Sequence, residues 1–176
     1  MKTLHFALFL ALISAASAAS PGVWYDGDKE APDRPHQKAK QGFGVQLLLT
    51  KNESFFTEWL SPTPPKLEVT STATAGETVY SVLLFFGAGK DKKGNSKVTF
   101  SGHVTAPDGK VIQEFKDAIA LDGPYSGSPY DLSLSVGYAR ISMAKEGGKG
   151  TYSLEITVTD HIKKLSIPLV QKIELK

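Results

Sequence analysis

Along most of this chain apolar and polar residues alternate with a period of two, the spacing of strands with one dry and one wet face. Phe43, Val45, Leu47 and Leu49 share one parity over Phe43–Thr50, and Leu48 points to the other side. Leu67, Val69, Ser71 and Ala73 alternate with Glu68, Thr70, Thr72 and Thr74, and Ala75-Gly76-Glu77 predicts a turn. In Thr78–Phe86 both parities are apolar: Val79, Leu83 and Phe85 face one way, Tyr80, Val82, Leu84 and Phe86 the other. That pattern predicts a central strand covered on two sides. Val98, Phe100, Gly102 and Val104 lead to Pro107-Asp108-Gly109, where proline presets φ and glycine accepts positive φ, so Lys110–Phe115 returns as a hairpin.

Downstream, Asp117–Leu121 reads as a short strand, Asp122–Tyr130 as a loop, and Leu132, Leu134 and Val136 alternate again. The C-terminal hairpin is the clearest element. Tyr152, Leu154, Ile156 and Val158 share one face, Asp160–Lys163 turns the chain, and Leu165, Ile167, Leu169, Ile173 and Leu175 keep one parity. Pro168 lies on the opposite parity and cannot donate to a ladder, which predicts an edge or a bulge. Lys163, Lys164, Lys172 and Lys176 guard such an edge against pairing with another chain.

Two segments break the alternation. Over residues 53–60, Phe55 and Trp59 are spaced i,i+4, as are Phe56 and Leu60, which predicts a short helix able to bury all four. Asn52 suits its cap, and Ser61-Pro62-Thr63-Pro64-Pro65 ends it. These aromatics either close an open end of the body or form a docking patch. Residues 19–42 hold Pro21, Pro32, Pro35, Gly22, Gly27 and Gly42 among many charges, with no apolar period; they predict an irregular, flexible arm. Trp24 and Tyr25 either pin it to the body or lie near a free end.

About eight or nine short strands with turn signals every ten residues or so predict an all-β antiparallel sandwich. Three stretches also resemble bacterial immunoglobulin-like domains: Gly150-Thr151-Tyr152 through Val158-Thr159-Asp160, Thr105-Ala106-Pro107-Asp108-Gly109-Lys110, and Gly76-Glu77-Thr78-Val79-Tyr80. The likeness covers residues 66–176. The chain as a whole resembles uncharacterised bacterial periplasmic or secreted proteins with an aromatic helix ahead of such a domain. It implies an immunoglobulin-like β-sandwich over residues 43–176, with the helix at about 53–60, and transfers no functional residue.

The N-terminus sets the compartment. Lys2, the apolar run Leu4–Ile13 and the small residues Ser14–Ser20 match a secretory signal peptide over residues 1–18, cut after Ala18. The run is short for a membrane span and no second one follows, so the mature protein is expected to be periplasmic or secreted, without membrane insertion. A chain of this length buries ~70% of its unfolded surface without covalent staples. There are no cysteines, which leans toward a bacterial envelope and excludes thiolate chemistry. The net charge of +2 offers no field for nucleic acid. Asn52-Glu53-Ser54 matches the N-glycosylation sequon, an accidental match in a bacterium.

Candidate chemistry is sparse. His36, His103 and His161 show no metal-ligand spacing, so no metal or cofactor is expected. Ser101 and His103 share a strand face with Asp160 as a conceivable third member, but there is no nucleophile elbow. Gly87-Ala88-Gly89-Lys90 lacks the full phosphate-loop pattern, and Lys90, Lys92, Lys93 and Lys97 form a basic tip. No catalytic residue is assigned. The expected role is a non-enzymatic binding or structural module. It acts through loops 87–97 and 122–131 or an edge strand, on an envelope or extracellular protein. The candidate surface is Tyr125, Tyr130, Tyr138, Phe55 and Trp59, since tyrosine joins an apolar ring to a polar tip. The alternative is a small-molecule or glycan binder, or a weak hydrolase, using the tyrosine loop beside His103.

Overall fold

The computed structural model describes residues 22–26, 28–63, 65–128, 131–143 and 148–176. The expected leader and Tyr130 therefore lie outside the described residues. Strands dominate: β1 (Tyr25–Asp26), β2 (Lys29–Glu30), β3 (Gln37–Lys40), β4 (Phe43–Thr50), β5 (Thr72–Ala73), β6 (Thr78–Phe86), β7 (Asn95–Thr105), β8 (Val111–Pro124), β9 (Ser133–Leu134), β10 (Arg140–Ser142), β11 (Gly150–Asp160) and β12 (Leu165–Leu175). One helical turn, α1 (Phe55–Glu58), sits between β4 and β5.

Two sheets face each other. One runs β10-β6-β4-β3, with β9 also on β6; the other runs β5-β12-β11-β7-β8. Neighbours pair antiparallel except β5, which lies parallel to β12 through Thr72 and Ala73. The dry interior follows the alternation. Phe43, Val45, Leu47, Val79, Leu83 and Phe85 from one sheet meet Val98, Phe100, Leu154, Val158, Leu169 and Ile173 from the other in one cluster. The fold is thus an antiparallel β-sandwich.

β6 is buried from Val79 to Phe86, as its double apolar pattern predicts. Its second face carries Val82 and Leu84, which pack with Phe55, Phe56, Trp59 and Leu67. The helix therefore covers the outer face of a sheet rather than an end of the sandwich. It is one turn long and leaves Leu60 85% exposed, so it does not bury all four predicted residues. Asn52 does not cap it: the Asn52 carboxamide oxygen accepts from Ser54 N, tightening the turn ahead of the helix.

The segment expected to be a flexible arm has structure. β3 pairs with β4 from Gln37↔Gln46 to Lys40↔Phe43. Trp24 donates its indole N–H to Lys38 O at 3.0 Å and meets Phe86 edge-on at 4.9 Å. The arm also reaches the other sheet, where Val170 N donates to Pro35 O and Lys38 Nζ donates to Pro168 O. Val170, Glu174 and Lys176 all send their N–H groups away from β11, to Pro35, Ser71 and Ala73. Pro168 has the same parity, so the N–H it lacks would face outward, and the edge accommodates it.

Three strand expectations change. Of 67–73, only Thr72–Ala73 pairs as a strand, since the chain there mostly crosses between sheets. Val111–Pro124 is one long strand rather than two, bent by irregularities in its pairing with β7. At the bend Asp117 takes φ 48° and its N–H is held by Ser101 Oγ at 2.9 Å. Over 131–136 only Ser133–Leu134 pairs, and Val136 is 71% exposed.

Candidate functional site

The two loops singled out as contact surfaces come together at one end of the sandwich. Gly87–Lys90 follows β6, and Tyr125–Ser128 follows β8. Tyr125 N donates to Gly94 O, which holds the second loop beside the first. Gln41-Gly42, between β3 and β4, and Lys163, in the β11–β12 turn, complete a cleft of about 760 Å³. That size lies within the range of small-molecule sites.

Asp160 holds the cleft in shape. It is the last residue of β11 and shares the inward parity of Leu154 and Val158, so its carboxylate enters the interior and is fully buried. One oxygen accepts from Gly89 N at 2.6 Å; the other accepts from Ile162 N and Lys163 N, each at 2.9 Å. Three backbone donors offset the desolvation of the carboxylate. Ser96 Oγ donates to Gly89 O at 2.5 Å, so Gly89 is fixed on both sides. A Cβ at Gly89 would lie 2.8 Å from the Lys163 side chain, which makes glycine a packing requirement there.

Tyr125 forms the inner part of this end. It is 8% exposed, and its ring packs 6.2 Å from Phe85. Lys90 Nζ stands 5.1 Å from the ring centre, in the range of a cation–π contact. The Tyr125 hydroxyl is buried and has no hydrogen-bond partner among the described residues. It abuts Gly127, where a Cβ would come within 2.5 Å of the phenol. Lys163 Nζ donates to Gln41 O at 2.9 Å. Behind Ser128, the Asp131 carboxylate accepts from the Ser128 hydroxyl at 2.9 Å.

The other predicted site residues lie elsewhere. Tyr138 joins Phe55 and Trp59 through the helix: Phe56 stacks on Tyr138 at 4.0 Å and Phe55 meets Trp59 at 5.6 Å. Phe55 is buried, Phe56 and Trp59 are half-buried and Tyr138 is exposed, so the cluster is a small second core with an accessible rim. Glu53 ties it together by accepting from Tyr80 at 2.8 Å and Tyr138 at 3.2 Å. That carboxylate holds the Tyr80 phenol above its ordinary pKa mainly through the hydrogen bond. Burial leads the same upward shift at Tyr138.

His103 is not beside the tyrosine loop. It sits eight residues along β7 from the strand start near Tyr125, roughly 26 Å at strand rise. It lines a separate shallow groove of about 320 Å³ with Ser101, Glu114 and Lys116. Its Nε2 lies 3.9 Å from Glu155. Asp160 pairs with Val98 at the far end of β7 and points to the opposite face, so Ser101, His103 and Asp160 do not converge. His161 meets Thr99 at 2.9 Å. Among the described residues no three metal-ligating side chains gather, and no helix is long and apolar enough to cross a membrane.

Sequence reading missed Asp160 and Lys163 as parts of the site. The available signal was parity: Asp160 continues the inward set of β11, which marks a carboxylate that must be satisfied inside.

No known protein family matches the chain, and no curated protein matches it. Among solved structures, a family 123 glycoside hydrolase from Clostridium perfringens aligns over 74% of this chain at 12% identity, with a TM-score of 0.42. This chain spans 27% of that hydrolase. A Niemann-Pick type C2 protein from Japanese carpenter ant aligns over 74% of this chain and 89% of its own length, at 6% identity and a TM-score of 0.40. Likenesses this distant assign no activity.

Proposed function

We propose that this protein is an exported, non-enzymatic binding module that takes a small ligand in the cleft between Gly87–Lys90 and Tyr125–Ser128. The observation that carries this reading is the meeting of those two loops around an open depression of about 760 Å³. A flat or convex surface there would suit a protein partner instead. The strand order supports an immunoglobulin-like scaffold. β5 runs parallel to the last strand, β11 lies between β12 and β7, and β6 pairs with β4 in the facing sheet. On such a scaffold, loops at the ends of the sandwich carry binding. The signal-like sequence over residues 1–18 supports export.

The groups that converge are ammonium, hydroxyl and backbone groups around glycines, a set that holds a ligand without moving a proton through a base. The test is an amide-resolved NMR titration of the labelled protein with a panel of neutral sugars, amino acids, organic acids and phosphorylated sugars. Binding shifts the amides of Gly87, Gly89, Ser126, Gly127 and Lys163. A panel that leaves all of these unmoved overturns the reading.

A further inference from the structure

We infer that the ligand of this cleft carries an anionic group, a carboxylate or a phosphate, which is seated between Lys90 and Lys163. This assignment rests on the cleft being the binding site. Lys90 and Lys163 line it, and none of the described residues that line it is acidic. The carboxylates nearby are already engaged. Asp160 is buried and accepts from three backbone N–H groups. Asp131 accepts from Ser128, and Asp91 accepts from Lys93 N and Asn95 N.

Among the described residues, Lys90 Nζ stands over the Tyr125 ring and Lys163 Nζ donates to a neutral carbonyl. Both cations thus border an open depression whose backbone is buried at Ala88 and Gly89, with Lys90 exposed and Lys163 half-buried. Two like charges beside one depression attract an opposite charge more than either does alone.

The second observation is the Tyr125 hydroxyl. It is more than nine-tenths buried, has no partner among the described residues, and ends against Gly127, which is part of the cleft wall. A buried hydroxyl without a partner is a cost the fold carries. A small displacement of the side-chain-free Gly127 brings it to a ligand oxygen. Such a ligand would have two ammonium groups and one O–H donor available to it, a set that favours an anion over a neutral hydroxyl-bearing molecule.

Three ring-matched probes test this: glucuronate, glucose 6-phosphate and glucose, titrated at constant ionic strength and followed at the Gly87, Gly89 and Gly127 amides. Glucuronate or glucose 6-phosphate is expected to shift them at concentrations at least tenfold below any effect of glucose, and the stronger of the two identifies the anion. Lys90→Gln, an exposed change that leaves the melting temperature in place, weakens that binding about tenfold, and Tyr125→Phe also weakens it. Lys116→Gln, in the separate His103 groove, leaves it unchanged. If glucose shifts the same amides equally well, the anionic assignment falls and the cleft remains a binding site. If all three leave them unmoved, the anionic assignment falls as well, and the broader panel then decides the fate of the cleft.

Discussion

Gly89 donates its backbone N–H to the buried Asp160 carboxylate at 2.6 Å, across 71 residues of sequence. The bond joins the loop after β6 to the turn after β11, and so sets two walls of the cleft from one side chain. Asp160→Asn keeps the shape but replaces one charged acceptor by an N–H donor that confronts a backbone N–H. A loss of about 3 kcal/mol is expected. Urea denaturation reads it, with faster amide exchange at Gly89, Ile162 and Lys163. A variant as stable as the parent would show that the carboxylate does not hold the loops.

Tyr125→Phe has the opposite sign for stability. The hydroxyl makes no hydrogen bond among the described residues, so removing it discards a desolvation cost and keeps the ring on Phe85. A gain of about 1 kcal/mol is expected, seen as a higher urea midpoint. A loss of stability would mean that the hydroxyl has a partner in solution.

The one-turn helix separates buried from exposed apolar residues within six positions. Phe55 is 1% exposed and Leu60 85% exposed. Phe55→Ala is expected to cost about 3–5 kcal/mol through the cavity it leaves under the helix. Leu60→Ser is expected to stay within about 0.5 kcal/mol of the parent. Equal effects in thermal unfolding would place the helix elsewhere.

Tyr80 and Tyr138 both donate to Glu53, so ionising either phenol would set a second negative charge against that carboxylate. Both titrate above the ordinary phenol value. A raised folded-state pKa contributes stability that is complete below the unfolded value of about 10. That contribution is lost as pH climbs through the raised value. Ultraviolet titration will show late phenols at Tyr80, Tyr138 and the buried Tyr152, and Glu53→Gln will move Tyr80 most, because its shift comes first from that hydrogen bond. An unchanged titration curve in the variant would refute the coupling.

Trp24 secures the arm through the Lys38 carbonyl and the Phe86 ring. Trp24→Ala removes a half-buried ring and a hydrogen bond, and about 2 kcal/mol of stability goes with it. Limited proteolysis between residues 22 and 42 should then accelerate. An equally resistant variant would show that β3 pairing alone fixes the arm.

Period-two patterning made the sandwich legible, because one wet and one dry face leave a direct imprint on β7, β11 and β12. The double apolar pattern of β6 predicted cover on both sides: the facing sheet supplies one, and the helix with Trp24 of the arm supplies the other. The arm itself was illegible: Gln37–Lys40 has no apolar alternation, and its pairing is enforced by the open edge of β4. The same holds for Leu67–Ser71, whose alternation imitates a strand where the chain crosses between layers. The site was half legible. Its two loops were marked by glycine, serine and lysine, but their meeting depends on Asp160, a contact set by tertiary structure. Tyr125 and Tyr138 looked equivalent in sequence and end in different clusters, since loop composition carries no direction.

Because β6 is dry on both sides, its tolerance of substitution will have no rhythm. A library covering every position should show depletion at each residue from Val79 to Phe86, whereas β11 should alternate between permissive and intolerant sites from Thr151 to Val158. Natural variation in relatives of this chain is therefore expected to concentrate away from β6, leaving that strand as the most durable mark of common ancestry.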